Sequence, residues 1–197
     1  GAGMLQALGA RFYDDEAQIV DMRKGADLIK YIRRIDLSGV HPQLAKVNIQ
    51  LMSDFSSRLY GKKSEIMQTY ESLELSQNEA AEIDNLIWYF SELFKNELKI
   101  AMGPIERGGA GGGIAAVLNS LYQAEILTSH ELVNQITHLE NLIQQADLII
   151  FGEGLKEEDQ ILETTTIRIA ELTQQYNKPA IAICATNDKF DLFESLN

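Results

Sequence analysis

The sequence predicts an α/β fold, on three segments in its last quarter. Residues 146–154, Ala-Asp-Leu-Ile-Ile-Phe-Gly-Glu-Gly, form an apolar run that stops at a carboxylate, Glu153, held between Gly152 and Gly154. A strand buried on both faces of a parallel sheet reads this way. Ile161, Ile167, Ala170, Leu172 and Tyr176 then recur at helical spacing, Asn177-Lys178-Pro179 stops the pattern, and residues 180–184 form a second apolar run. Strand, helix and strand make a βαβ unit whose right-handed crossover brings residues 180–184 back parallel to residues 147–151. Ligands gather beyond the carboxyl ends of such strands, which places Glu153 where chemistry is expected.

Earlier elements follow in order. Gly1-Ala2-Gly3-Met4-Leu5-Gln6-Ala7-Leu8-Gly9 reads as a glycine loop running into a short apolar helix, and the chain is expected to be a piece of a longer protein. Asp36-Leu37-Ser38-Gly39-Val40-His41-Pro42 is a turn-rich connector. Val47, Ile49 and Leu51 alternate with Asn48 and Gln50, so residues 47–52 are expected as a strand with one wetter face, and Asp54 lies just past its end. Residues 62–75 have no clear period, although Ile66, Gln68 and Tyr70 fit a second short strand. Ser76-Gln77-Asn78-Glu79 is a capping box, and the helix it opens carries Ala80, Ile83, Leu86, Ile87, Phe90, Leu93, Phe94 and Leu98 on one stripe with Trp88 beside it. That stripe is expected to be core or inter-domain packing rather than a cofactor box.

Gly108-Gly109-Ala110-Gly111-Gly112-Gly113 precedes the helical run Ile114, Val117, Leu118, Leu121 and Tyr122. Glycines before a helix let an anion approach bare N–H groups at the positive end of the helix dipole. The same composition also serves as a linker or a close helix contact, and neither a P-loop ending nor a dinucleotide fingerprint accompanies it. Gly111, Gly112 and Gly113, with Arg107 nearby, are the candidate anion site.

Composition narrows the partners. The 197 residues carry 29 acidic and 17 basic side chains, a net charge of -12, which opposes binding to nucleic acid because the bases occur only in short pairs. No window approaches the ~20 apolar residues of a membrane helix, so no membrane partner is expected. The single cysteine, Cys184, excludes an internal disulfide and fits a cytoplasmic location; it reads as a buried strand residue. His41, His130 and His138 lack metal-ligand spacing, so no metal ligands are assigned. No oligomeric state is specified.

Taken together, these segments resemble the type I glycerate kinase family of ATP-dependent enzymes. The opening nine residues are similar to its Gly-Gly-Ala-Gly-Met loop and helix, and Ile35-Asp36-Leu37-Ser38-Gly39-Val40-His41-Pro42-Gln43-Leu44 to its Ile-Asp-Leu-Ser-Gly-Leu-Asp-Pro-Arg-Leu connector. Asp54, Leu59 and Gly61 fall on its Asp-Val-x-Asn-Pro-Leu-x-Gly motif, Gly112-Gly113 on its Gly-Gly-Leu-Gly turn, and residues 146–154 on its Ala-Asp-Leu-Val-Ile-Thr-Gly-Glu-Gly.

The resemblance implies the central and C-terminal portion of a two-domain kinase: a Rossmann-like parallel sheet portion (βαβ) plus a mixed α/β inserted domain. Residues 1–35 would be its start, 36–102 part of the inserted domain, 103–145 the glycine turn and helices, and 146–197 part of the Rossmann-like domain. The phosphate-binding N-terminal segment would be missing. The implied substrates are ATP and a small hydroxy acid such as glycerate, with Mg²⁺ as cofactor. Asp54 and Glu153 are the expected catalytic carboxylates. Gly3, Gly61, Arg107, Gly111, Gly112, Gly113, Gly152 and Gly154 are the expected substrate- or nucleotide-binding residues. Set against those roles, Asp54 also fits an Asx-turn and Glu153 a helix cap.

Departures from the pattern bear on activity. Ser57-Arg58 stands for the family's Asn-Pro, and Tyr70-Glu71-Ser72-Leu73-Glu74-Leu75-Ser76 for its lysine-bearing Gly-Pro-Gln-Lys-Gly-Ala-Thr. After Gly154, Glu157-Glu158-Asp159-Gln160 and Glu163-Thr164-Thr165-Thr166 replace a second lysine-bearing stretch. Losing cations that meet phosphate weakens phosphoryl transfer, unless Arg58, Lys62, Lys63 or Arg107 substitutes. Lys62 and Lys63 read better as solvated surface.

Overall fold

The computed structural model describes residues 1–54, 56–153 and 165–184; the side chains of Glu153 and Cys184 are not included. Gly154, Ile161 and the substituted stretch 157–164, together with the residues beyond Cys184, lie outside the described residues, as does Phe55. The chain divides into two compact units, one of residues 1–51 and 55–126, the other of residues 52–54 and 127–197.

In the first unit, helix α1 (Ala2–Ala7) starts one residue into the chain, so Gly3 lies inside the helix rather than in a loop before it. Strands β1 (Arg11–Tyr13) and β2 (Arg34–Asp36) pair antiparallel, with Phe12 opposite Ile35. After the expected connector comes β3 (Gln50–Met52), shorter than its alternation suggested: Val47 is 50% exposed and lies outside the strand.

The expected strand at Ile66, Gln68 and Tyr70 is instead helix α2 (Glu65–Thr69). The reason is local. Ser64 accepts the Met67 N–H on its hydroxyl (3.4 Å), and Glu65 places a carboxylate in the first turn, where the helix dipole favours it.

Helix α3 (Gln77–Leu98) begins at the capping box read from the sequence: Ser76 Oγ accepts the Glu79 N–H, and the Glu79 carboxylate accepts the Ser76 N–H at 2.8 Å. The Ser76 hydroxyl also donates to that carboxylate at 2.7 Å, and this bond together with the one from the Ser76 N–H holds the Glu79 carboxyl below its usual range. Ala80, Phe90 and Phe94 are buried, and Leu86, Ile87, Leu93 and Leu98 pack against the same core, so the stripe is core as expected. Trp88 stays 48% exposed. Phe90 stands edge-on to Phe12 at 5.8 Å and packs on Phe94 at 4.9 Å; Leu5, Ile32, Met102 and Val117 complete the centre. Helix α4 (Ala110–Tyr122) follows, and β4 (Glu125–Leu127) pairs with β3.

The second unit contains α5 (Ser129–Thr137), α6 (Leu139–Gln145), β5 (Ile149–Glu153), α7 (Thr165–Gln175) and β6 (Ala180–Cys184). β5 and β6 are parallel and in the expected order, from Ile149 opposite Ala180 to Glu153 opposite Cys184. α7 lies between them in sequence and packs on β5, burying Ile167, Ala170 and Leu172. Ile150, Ile181 and Ile183 remain largely exposed.

Candidate functional site

The glycine turn is built by three consecutive residues in the left-handed region: Gly111 (φ 62°), Gly112 (φ 63°) and Gly113 (φ 85°). Side chains disfavour that conformation by roughly 1–2 kcal/mol per residue, so a run of three demands glycine. From Ile114 the backbone is regular helix, and Ala115, Ala116, Val117 and Leu118 are buried. The turn is tightly seated at its ends and open in the middle. A side chain at Gly109 would meet the Arg58 carbonyl at 2.3 Å, and one at Gly113 would meet Leu59 Cδ1 at 2.8 Å, whereas at Gly112 nothing lies within 4 Å.

Several expected residues of the first unit converge here. The Gly1 nitrogen donates to the Gly112 carbonyl (2.8 Å), and Gly1, Ala2, Leu59, Gly112, Gly113 and Val117 line a cavity of about 20 Å³, room for about one water. Arg107, half-buried with φ 54°, accepts the Ala110 N–H on its carbonyl (3.2 Å) and so shapes the entry to the turn. Gly61 (φ 91°) makes a neighbouring turn: its N–H donates to both carboxylate oxygens of Asp84 on α3, at 3.0 and 2.8 Å, and its carbonyl accepts the Ser64 N–H at 2.8 Å. That turn delivers Ser64 to the start of α2, and Glu65, the next residue, reaches the glycine turn, where its Oε2 accepts the Gly112 N–H at 3.3 Å. Gly3 stands on α1 with nothing within 4 Å of where a side chain would begin.

Two of these contacts were not read from the sequence. Asp84 looks like an ordinary polar position on an amphipathic helix, and only the fold brings it under Gly61. Glu65 carried a usable signal, since Ser64-Glu65 is an N-cap followed by a first-turn acid, but the strand reading of the next residues hid it.

In the second unit Asp54 is exposed just beyond β3, and its Oδ1 accepts the Ser129 N–H, the first of α5, at 2.6 Å. The Asx-turn with Phe55 lies outside the described residues. Thr128 caps the same helix in a second capping box, taking the Glu131 N–H at 3.2 Å while the Glu131 carboxylate takes its N–H at 2.7 Å. Asp54 is thus fixed on a helix N-terminus by a tertiary contact over 75 residues of sequence. Glu153 ends β5 opposite Cys184, and Gly152 precedes it with Ile183 O 3.3 Å from where a side chain would start. Among the described residues no group of three or more His, Cys, Asp or Glu is placed to hold a metal ion, and no helix is long and apolar enough to cross a membrane.

The parallel pair β5–β6 with α7 between them, together with the helices and short antiparallel pair of the first unit, define an α/β protein. The sequence matches the model of the Glycerate kinase family over residues 1–194, and the chain belongs to that family. It is 31% identical over 186 residues to the glycerate kinase of Halalkalibacterium halodurans and 29% identical over 186 residues to the glycerate 2-kinase of Escherichia coli, covering 94% of this chain and 48% of each relative. A crystal structure from Salmonella typhimurium LT2, provisionally assigned as glycerate kinase 2, superposes with a TM-score of 0.77 at 25% identity, covering all of this chain and 56% of that one. The chain therefore spans about half the length of the curated relatives it matches.

Proposed function

We propose that this chain is part of an ATP-dependent kinase that transfers a phosphoryl group from ATP to a hydroxyl of glycerate or a related small hydroxy acid. The observation that carries the proposal is the family match over residues 1–194, with relatives named glycerate kinase. In this reading the hydroxyl oxygen forms a bond to the γ-phosphorus as the bond to ADP breaks, and the hydroxyl proton passes to a carboxylate. Asp54 is the carboxylate we assign to that role. The α5 N-terminus orients it through Ser129, and it stands exposed past a strand end. Glu153, at the end of β5, is assigned the second acidic role, with Gly152 before it allowing close approach of a ligand to the backbone. Oxygen donors of this kind suit Mg²⁺, which would neutralise charge on the transferring phosphoryl group. The N–H groups of Gly111 and Gly112 are assigned to an anionic group of the ligand, with Gly3, Gly61 and Arg107 shaping the approach. The Gly113 N–H donates to the Gly109 carbonyl at 3.1 Å and holds the turn.

A non-catalytic binding or regulatory module is the second reading. It is favoured by the loss of lysine-bearing stretches that the family resemblance would place at residues 70–76 and after Gly154. The experiment is an assay of phosphoryl transfer with ATP, Mg²⁺ and a panel of hydroxy acids, on these 197 residues and on a longer protein spanning the full length of the relatives. We expect no turnover from the 197 residues and turnover from the longer protein that falls about 100-fold or more on Asp54→Ala. No turnover from the longer protein would favour the binding module; turnover by the 197 residues alone, lost on Asp54→Ala, would show that the chain is self-sufficient.

A further inference from the structure

We draw no further inference here: the strongest candidate, the exposed apolar face of the β5–β6 pair carrying Ile150, Ile181 and Ile183, carries none because nothing in the structure shows what covers it.

Discussion

The two units carry different kinds of candidate group, and that difference governs how each is expected to tolerate change. In the first, the candidate donors are the backbone N–H groups of the open turn at Gly111 and Gly112, and other glycines there permit close contact: Gly9 with the Gly39 carbonyl, Gly109 with the Arg58 carbonyl, Gly113 with Leu59. These turns sit on an aromatic core of Phe12, Phe90 and Phe94. In the second, the candidates are carboxylates on strand ends, and the supporting structure is a set of side-chain caps on α5 with Leu127, Ile143, Ile167, Ala170 and Leu172 buried among the described residues. One face of its parallel pair is left exposed, with Ile150 61%, Ile181 49% and Ile183 62% accessible. A backbone site is inseparable from the fold that shapes it, whereas a carboxylate site can lose its functional group and keep its scaffold.

Substitutions can break or sharpen that contrast. The largest effect is expected for Gly109→Ala, whose new methyl would overlap the Arg58 carbonyl; overpacking of this kind against backbone costs about 3 kcal/mol, read as a lower urea midpoint. An effect below about 1 kcal/mol would mean that the approach of α4 to residues 57–58 is looser than described. Thr128→Ala removes the cap of α5 in the second unit and should cost about 1.5 kcal/mol by the same measurement. Loss of that cap should also shift the Ser129 amide signal, which Asp54 holds, while leaving the Gly112 signal unchanged. Gly112→Ala adds only left-handed strain in open space and should cost about 1 kcal/mol. Ile183→Lys tests the exposed sheet face and should change stability by less than about 0.5 kcal/mol, as surface substitutions do. A loss of 2 kcal/mol or more would show that this face is covered in solution.

Much of the fold was legible because its signals are local. The α3 stripe and its capping box, the parallel pair at residues 149–153 and 180–184, and the helix between them each follow from periodicity and from residues that stop a pattern. The failures were short elements. Three alternating residues, Ile66, Gln68 and Tyr70, fit a strand as well as a single helical turn, and the Ser64 cap decided the matter. Residues 47–49 alternate as a strand should, yet their strand begins only at Gln50, where β4 supplies a partner.

At the candidate site the division has the same cause. The sequence by itself determined the family, the glycine turn before α4 and the carboxylates past β3 and on β5, because composition and spacing within a dozen residues carry those features. Only the tertiary structure decided that Asp84 clamps Gly61, that Asp54 docks on the first N–H of α5, and that Glu65 already occupies the turn at Gly112. Each of these joins residues 23 to 75 positions apart. Such pairs leave no periodic trace, because a single carboxylate meeting a single N–H is specified by how helices and turns pack and by nothing in its own neighbourhood.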